Sequence, residues 1–145
     1  MTKSTTFTLA DEVVEALNDE TFSQSFTAAR LTVPMFTLQE LASLKVSVVP
    51  RGRAKEIETR GVNAVQHKLE LGFQKRLTNV NDPSESDPMD LLVEQVEDFL
   101  LGTQINGKTC VAIEHILADD SLFAKEHIYA DKVYTAVVEV TFLDR

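Results

Sequence analysis

Residues 87–102 read DPMDLLVEQVEDFLLG, and this stretch decides the kind of fold the chain can build. Met89, Leu92, Val93, Val96, Phe99 and Leu100 recur at intervals of three and four, which places them on one face of a helix. Asp87 stands where an N-cap is wanted, and Pro88 suits the first helical position, where its missing N–H would be unpaired anyway. Asp90 faces the free N–H groups of the first turn, and Gly102 is the usual kind of helix stop. The closing segment has a different period. Tyr134, Ala136, Val138, Val140 and Phe142 alternate with Val133, Thr135, Val137, Glu139 and Thr141, so a strand with one wholly apolar face is expected. A one-faced helix and a one-faced strand must bury against each other or against similar elements. An α+β domain follows, with about four to five strands in a mostly antiparallel or mixed sheet and two to three helices packed on it.

Working towards the start, the run TNVNDPSESDP (78–88) concentrates Asn, Asp, Ser and Pro and predicts a loop within the domain. Before it, residues 57–77 read as one long extended stretch, whose apolar side carries Val65, His67, Leu69, Leu71 and Phe73. Arg51-Gly-Arg-Ala-Lys55 suggests a turn or hairpin tip, and residues 45–50, with Val46, Val48 and Val49, a strand. Thr37 and Glu40 have capping-box spacing and predict two helical turns over 38–44. FTAARLTVP (26–34) alternates as a strand does until Pro34. Thr8 and Asp11 repeat the capping spacing ahead of Leu9, Val13, Val14 and Leu17, an opening amphipathic helix that runs until Asn18 and Asp19. On the other side of residues 87–102, Asn106-Gly107 marks a turn and 109–117 a strand. Residues 118–131 read as an irregular acidic segment with one helical turn around 122–126.

A length of 145 residues with 43% apolar composition suits a single domain, 1–145, able to bury one core. No apolar stretch approaches the roughly 20 residues of a membrane helix and the start has no signal-peptide core, so a protein made and used in the cytosol is expected. The lone Cys110 can form no internal disulfide and no thiolate cluster. The net charge of −9 argues against gripping duplex DNA, yet it suits a surface past which nucleic acid slides without sticking.

One chemical motif matches in full: Gly102-Thr-Gln-Ile-Asn-Gly107-Lys108-Thr109 fits the phosphate-cradling pattern G-x-x-x-x-G-K-[ST]. That chemistry needs a strand before the loop and a helix after it, so that N–H groups and the helix dipole converge on phosphate. Here the expected order is helix, then strand, and the string is better read as a helix stop followed by an Asn-Gly turn. His67, His115 and His127 have neither metal-ligand spacing nor an accompanying carboxylate pattern, and Cys110 lies in an apolar strand. No calcium-loop pattern organises Glu85, Asp87, Asp90, Asp119 and Asp120. The reading is therefore of a non-enzyme with no cofactor or metal.

The whole layout, carried by LADEVVEALN, FTAARLTVPMFTLQELASLKVSVVPRG, LELGFQKRL, MDLLVEQVEDFLLG and KVYTAVVEVTFLDR, resembles the tail-terminator or head-to-tail joining (neck) proteins of long-tailed bacteriophages. The resemblance covers nearly the full chain and rests on pattern and order, without a catalytic signature. It implies a virion protein, assembled in the host cytoplasm, that forms a homohexameric ring. Such a ring caps the tail tube, meets a neck or head-completion protein, and lets viral DNA through its channel without sequence-specific binding. Another virion part, such as a neck adaptor or tail-tube subunit, is the nearest alternative. A small nucleotide-binding protein using Gly102 to Thr109 is the more distant one. Exposed irregular segments are the candidate contacts: Arg51, Arg53, Lys55 and Arg60 in one, and Asp119, Asp120, Lys125 and His127 in the other.

Overall fold

Two strands of fifteen residues each, β2 (Lys45–Thr59) and β3 (Val62–Arg76), form the spine of the molecule. The computed structural model describes residues 2–117 and 121–145. Around that spine the chain adds helix α1 (Thr5–Asp19), β1 (Ala28–Arg30), helix α2 (Pro83–Leu100), β4 (Gln104–Ile105), β5 (Lys108–His115), helix α3 (Lys125–Asp131) and β6 (Val133–Asp144). A single 3-10 turn at Glu40–Ala42 precedes β2. The strands form one mixed sheet in the order β1-β2-β3-β6-β5-β4. β1 runs parallel to β2, and every other pairing is antiparallel. The fold is α+β as expected. Its six strands exceed the expected four to five because two short edge strands, β1 and β4, join the four long ones.

Register explains the core. Phe73 pairs with Ala136, Leu71 with Val138 and Leu69 with Val140, while Val46 and Val48 lie opposite Phe73 and Leu71 on the other side. Alternate residues share a face, so these side chains line one side of the sheet. All are buried there with Leu9, Val13 and Leu17 of α1 and with Met89, Leu92, Val93, Val96 and Leu100 of α2. The apolar faces read from the sequence for α2, β3 and β6 are therefore the ones that form the core.

Several boundaries differ from expectation. α1 begins at Thr5 and is capped by Ser4, whose hydroxyl accepts the Phe7 N–H at 3.2 Å; Thr8 is already helical and caps nothing. The expected strand over 26–34 contracts to Ala28–Arg30, which pair with Val46 to Val48. The Asn18 side-chain amide satisfies both backbone groups of Ala28, so this edge is closed by a side chain. Thr37 and Glu40 do exchange the reciprocal bonds of a capping box, but only one 3-10 turn follows. α2 starts at Pro83, capped by Asp82, and Pro88 lies inside it. The chain offers two Asp-Pro steps and uses the first, because Glu85 there accepts the N–H groups of Thr78 and Asn79 and ties the loop to the helix. Near the end, α3 replaces the expected turn around 122–126.

The main correction concerns residues 51–61. Arg51 to Lys55 make no turn: β2 passes straight through them, with a bulge between Pro50 and Gly52 that leaves Arg51 as the extra residue. The chain reverses at Arg60-Gly61 instead, where Gly61 takes φ +84°. What reads as one extended stretch over 57–77 is thus the end of β2, a tight turn and β3.

Candidate assembly surface

Beyond the core, β2 and β3 leave the sheet as a two-stranded arm. β1 accompanies β2 only as far as Val48, and β6 meets β3 only from Val65 onward. Lys55 lies opposite Val65, so the last four residues of β2, Glu56 to Thr59, have no strand but β3 beside them among the described residues, and at about 3.3 Å per residue the tip stands roughly 13 Å clear. Every residue from Arg51 to Asn63 is exposed.

The four candidate cations of this segment do different work. Arg51 turns to the sheet face away from α1 and α2, where it binds Glu70 at 2.7 Å and Glu139 at 3.3 Å, with Lys68 3.8 Å from Glu139. It holds the bulge in place. Arg53 donates to the Thr6 hydroxyl at 3.1 Å, and that hydroxyl also bonds Nδ1 of His67 at 2.9 Å. His67 is 2% exposed, and its Nε2 has no partner. Burial, followed by the nearby Lys108 ammonium, holds the imidazole below its ordinary pKa, against an opposing pull from Asp144. This Arg53–Thr6–His67 cluster fastens the first turn of α1 to the root of the arm. Lys55 and Arg60 have no carboxylate partner among the described residues, whereas Glu58 on the arm is taken up by Arg145 at 3.1 Å.

The second candidate group is not brought to the arm. Asp119 and Asp120 lie outside the described residues. Lys125 and His127 sit on α3, where His127 Nδ1 is 2.7 Å from the Thr135 hydroxyl. Thr135 pairs with Gln74, at the end of β6 opposite the arm root, where Asp144 pairs with Val65. The two groups are separated by most of the length of the sheet. Lys125 borders a cleft of about 250 Å³ shared with Phe123, Ile128, Tyr129 and Tyr134. Burial pushes the Tyr134 phenol well above its ordinary range, and its hydroxyl has no partner.

Gly102 to Thr109 has the geometry of a helix end and hairpin. α2 ends at Leu100, Gly102 takes φ +82°, and Asn106 and Gly107, both with positive φ, connect β4 to β5. Lys108 is buried and donates to the Asn106 carbonyl at 3.3 Å. No helix follows the loop, so no helix dipole converges where phosphates would lie. Cys110 is buried in β5, and burial raises its thiol pKa.

Two features escape a linear reading. His115 Nε2 lies 2.8 Å from Glu97, a carboxylate partner that no spacing along the chain reveals. Burial raises the Glu97 carboxyl and His115 opposes that shift, while Asp90 and Asp98 add to it. The second is the outer side of α2: Asp87, Leu91, Glu94, Asp98 and Leu101 are all exposed and follow one another at steps of four and three, a stripe directed away from the sheet. Among the described residues no group of three or more His, Cys, Asp or Glu side chains is placed to hold a metal ion. No protein-family model matches the chain, and no curated protein matches it.

Proposed function

We propose that this protein is a structural part of a virus particle, acting as a tail terminator: a homohexameric ring that caps the tail tube and joins it to the neck. One observation carries the reading beyond the sequence layout. A small sheet with a well-packed core projects a long, fully exposed hairpin whose residues contribute little to that core. An arm of this kind is suited to reaching a neighbour in a closed assembly. The acidity of the chain supports the same reading, since a conduit of like charge lets DNA pass without a bound state. In this reading the protein has no catalytic step, and its partners are further copies of itself, the tube protein and a neck or head-completion protein.

Electron microscopy and mass measurement of the purified protein, alone and with tail tubes, test it. Closed rings of one size, found at tube ends and stopping tube growth, are expected. Open-ended tubes made by this protein alone would assign it to the tube instead, and failure to bind tube ends would remove the terminator role.

A further inference from the structure

The arm and the two packing helices carry opposite charge. Residues 51–60 hold Arg51, Arg53, Lys55 and Arg60 against Glu56 and Glu58, in a chain whose remainder has ten Lys and Arg against twenty-one Asp and Glu. α1 and α2 together contain ten carboxylates and no lysine or arginine. The match extends to shape and to apolar surface. After the bulge, Arg53, Lys55 and Ile57 fall on one face of β2 and span about 13 Å, with Ile57 78% exposed near the tip. On the outer stripe of α2, Leu91 and Leu101 bracket Glu94 and Asp98 over about 15 Å, with the two leucines 48% and 56% exposed. Asp87, Glu94 and Asp98 have no cationic partner among the described residues.

These surfaces do not meet within one chain. The arm leaves the sheet from β2 and β3, whereas α2 packs towards β6 with its stripe facing outward. We infer that the arm of one copy lies along the outer stripe of α2 of the next. Lys55 and Arg60 then reach Glu94 and Asp98, and Ile57, on the same face as Lys55, packs against the exposed leucines of the stripe. The occupant is a second copy of this chain, because the chain itself carries the complement in charge, length and apolar content. An arm-to-stripe contact uses different patches on the two partners, so repeating it at a fixed rotation closes a ring. The inference deepens the ring reading and rests on it for the occupant.

Charge exchange between two full-length variants tests it. One carries Lys55→Glu with Arg60→Glu, the other Glu94→Lys with Asp98→Lys. All four side chains lie outside the core, and unchanged melting temperatures check that both variants fold. Each variant alone should need a roughly tenfold or greater concentration to assemble, since two favourable pairs become repulsive. An equal mixture should assemble as the wild type does, because the acidic arm meets a basic stripe and the basic arm an acidic one, giving rings with alternating subunits. A mixture no better than either variant, or a single variant that assembles normally, overturns the inference. In the unaltered protein, carbodiimide coupling of heavy and light isotope-labelled chains should join Lys55 to Glu94 or Asp98 across chains; coupling confined to single chains also overturns it. Wild-type rings without rescue refute the arm contact and leave the ring reading intact. Rescue in an assembly that is not a ring refutes the ring and leaves the contact.

Discussion

The two halves of one hairpin behave as different materials. From Lys45 to Pro50 and from Leu69 to Arg76, β2 and β3 lie inside the sheet, and Val46, Val48, Leu69, Leu71 and Phe73 are buried beneath the helices. From Gly52 to Asn63 the same strands carry Arg53, Lys55, Ile57 and Arg60 into solvent. The backbone pairing is nearly continuous across the boundary; what changes is the neighbours. Strand pairing can therefore continue past the core that stabilises it, and the part that continues is available for contacts with other molecules. The bulge at Arg51 and the Arg53–Thr6–His67 cluster mark the boundary, one on each face of the sheet.

The contrast can be broken at the centre, at the root and at the tip, with decreasing effect on stability. At the centre, Phe73→Ala should cost about 3–5 kcal/mol in denaturant unfolding, because it removes a fully buried ring from the core, on a strand flanked by β2 and β6. A cost near that of a surface substitution would mean that the two halves are not packed differently.

At the root, the prediction concerns pH. The folded-state pKa of His67 lies below the ordinary histidine value of 6.5, so the unfolded chain binds the proton more readily. Its contribution to stability is then fully present above 6.5 and is lost as pH falls through the lower folded value. The protonated ring would face Arg53 and Lys55 of β2 and Lys108 of β5, with Asp144 of β6 alone opposing and Thr6 of α1 bonded to it. Melting curves across this range should show a decline that is absent in His67→Gln. Hydrogen exchange should quicken at the arm root before it does in the centre of the sheet. An equal decline in the variant would remove His67 as the cause.

At the tip, Ile57→Ala should change unfolding free energy by less than about 0.5 kcal/mol, because the side chain is already in water. The same substitution should weaken self-association, measured as a rise in the concentration needed to assemble. A large loss of stability instead would show that the tip packs within its own chain.

Where local chemistry and the fold disagree, groups distant along the chain decide. Asp87-Pro88 and Asp82-Pro83 are equally good helix starts by local chemistry, and the choice between them came from Glu85 reaching back to Thr78 and Asn79. Arg51 to Lys55 carry a glycine and three cations, which locally favour a turn. Pairing with His67 to Val65 and the reach of Arg51 to Glu70 and Glu139 keep them in a strand. The acidic stripe on α2 was present in the residues, but its exposure depended on which side of the helix the core took.

By itself the sequence determined the α+β character, the apolar faces of α2, β3 and β6, the Asn106-Gly107 turn and the burial of Cys110. Each depends on residues close along the chain, where a period of two or of three to four already tells which side chains share a face. Only the tertiary structure decided where the hairpin turns, that it outruns its sheet, that His67 joins α1 to its root and that His115 meets Glu97. These depend on groups far apart in the chain, such as Thr6 with His67 and Arg51 with Glu139, whose meeting is set by strand order and register rather than by local pattern.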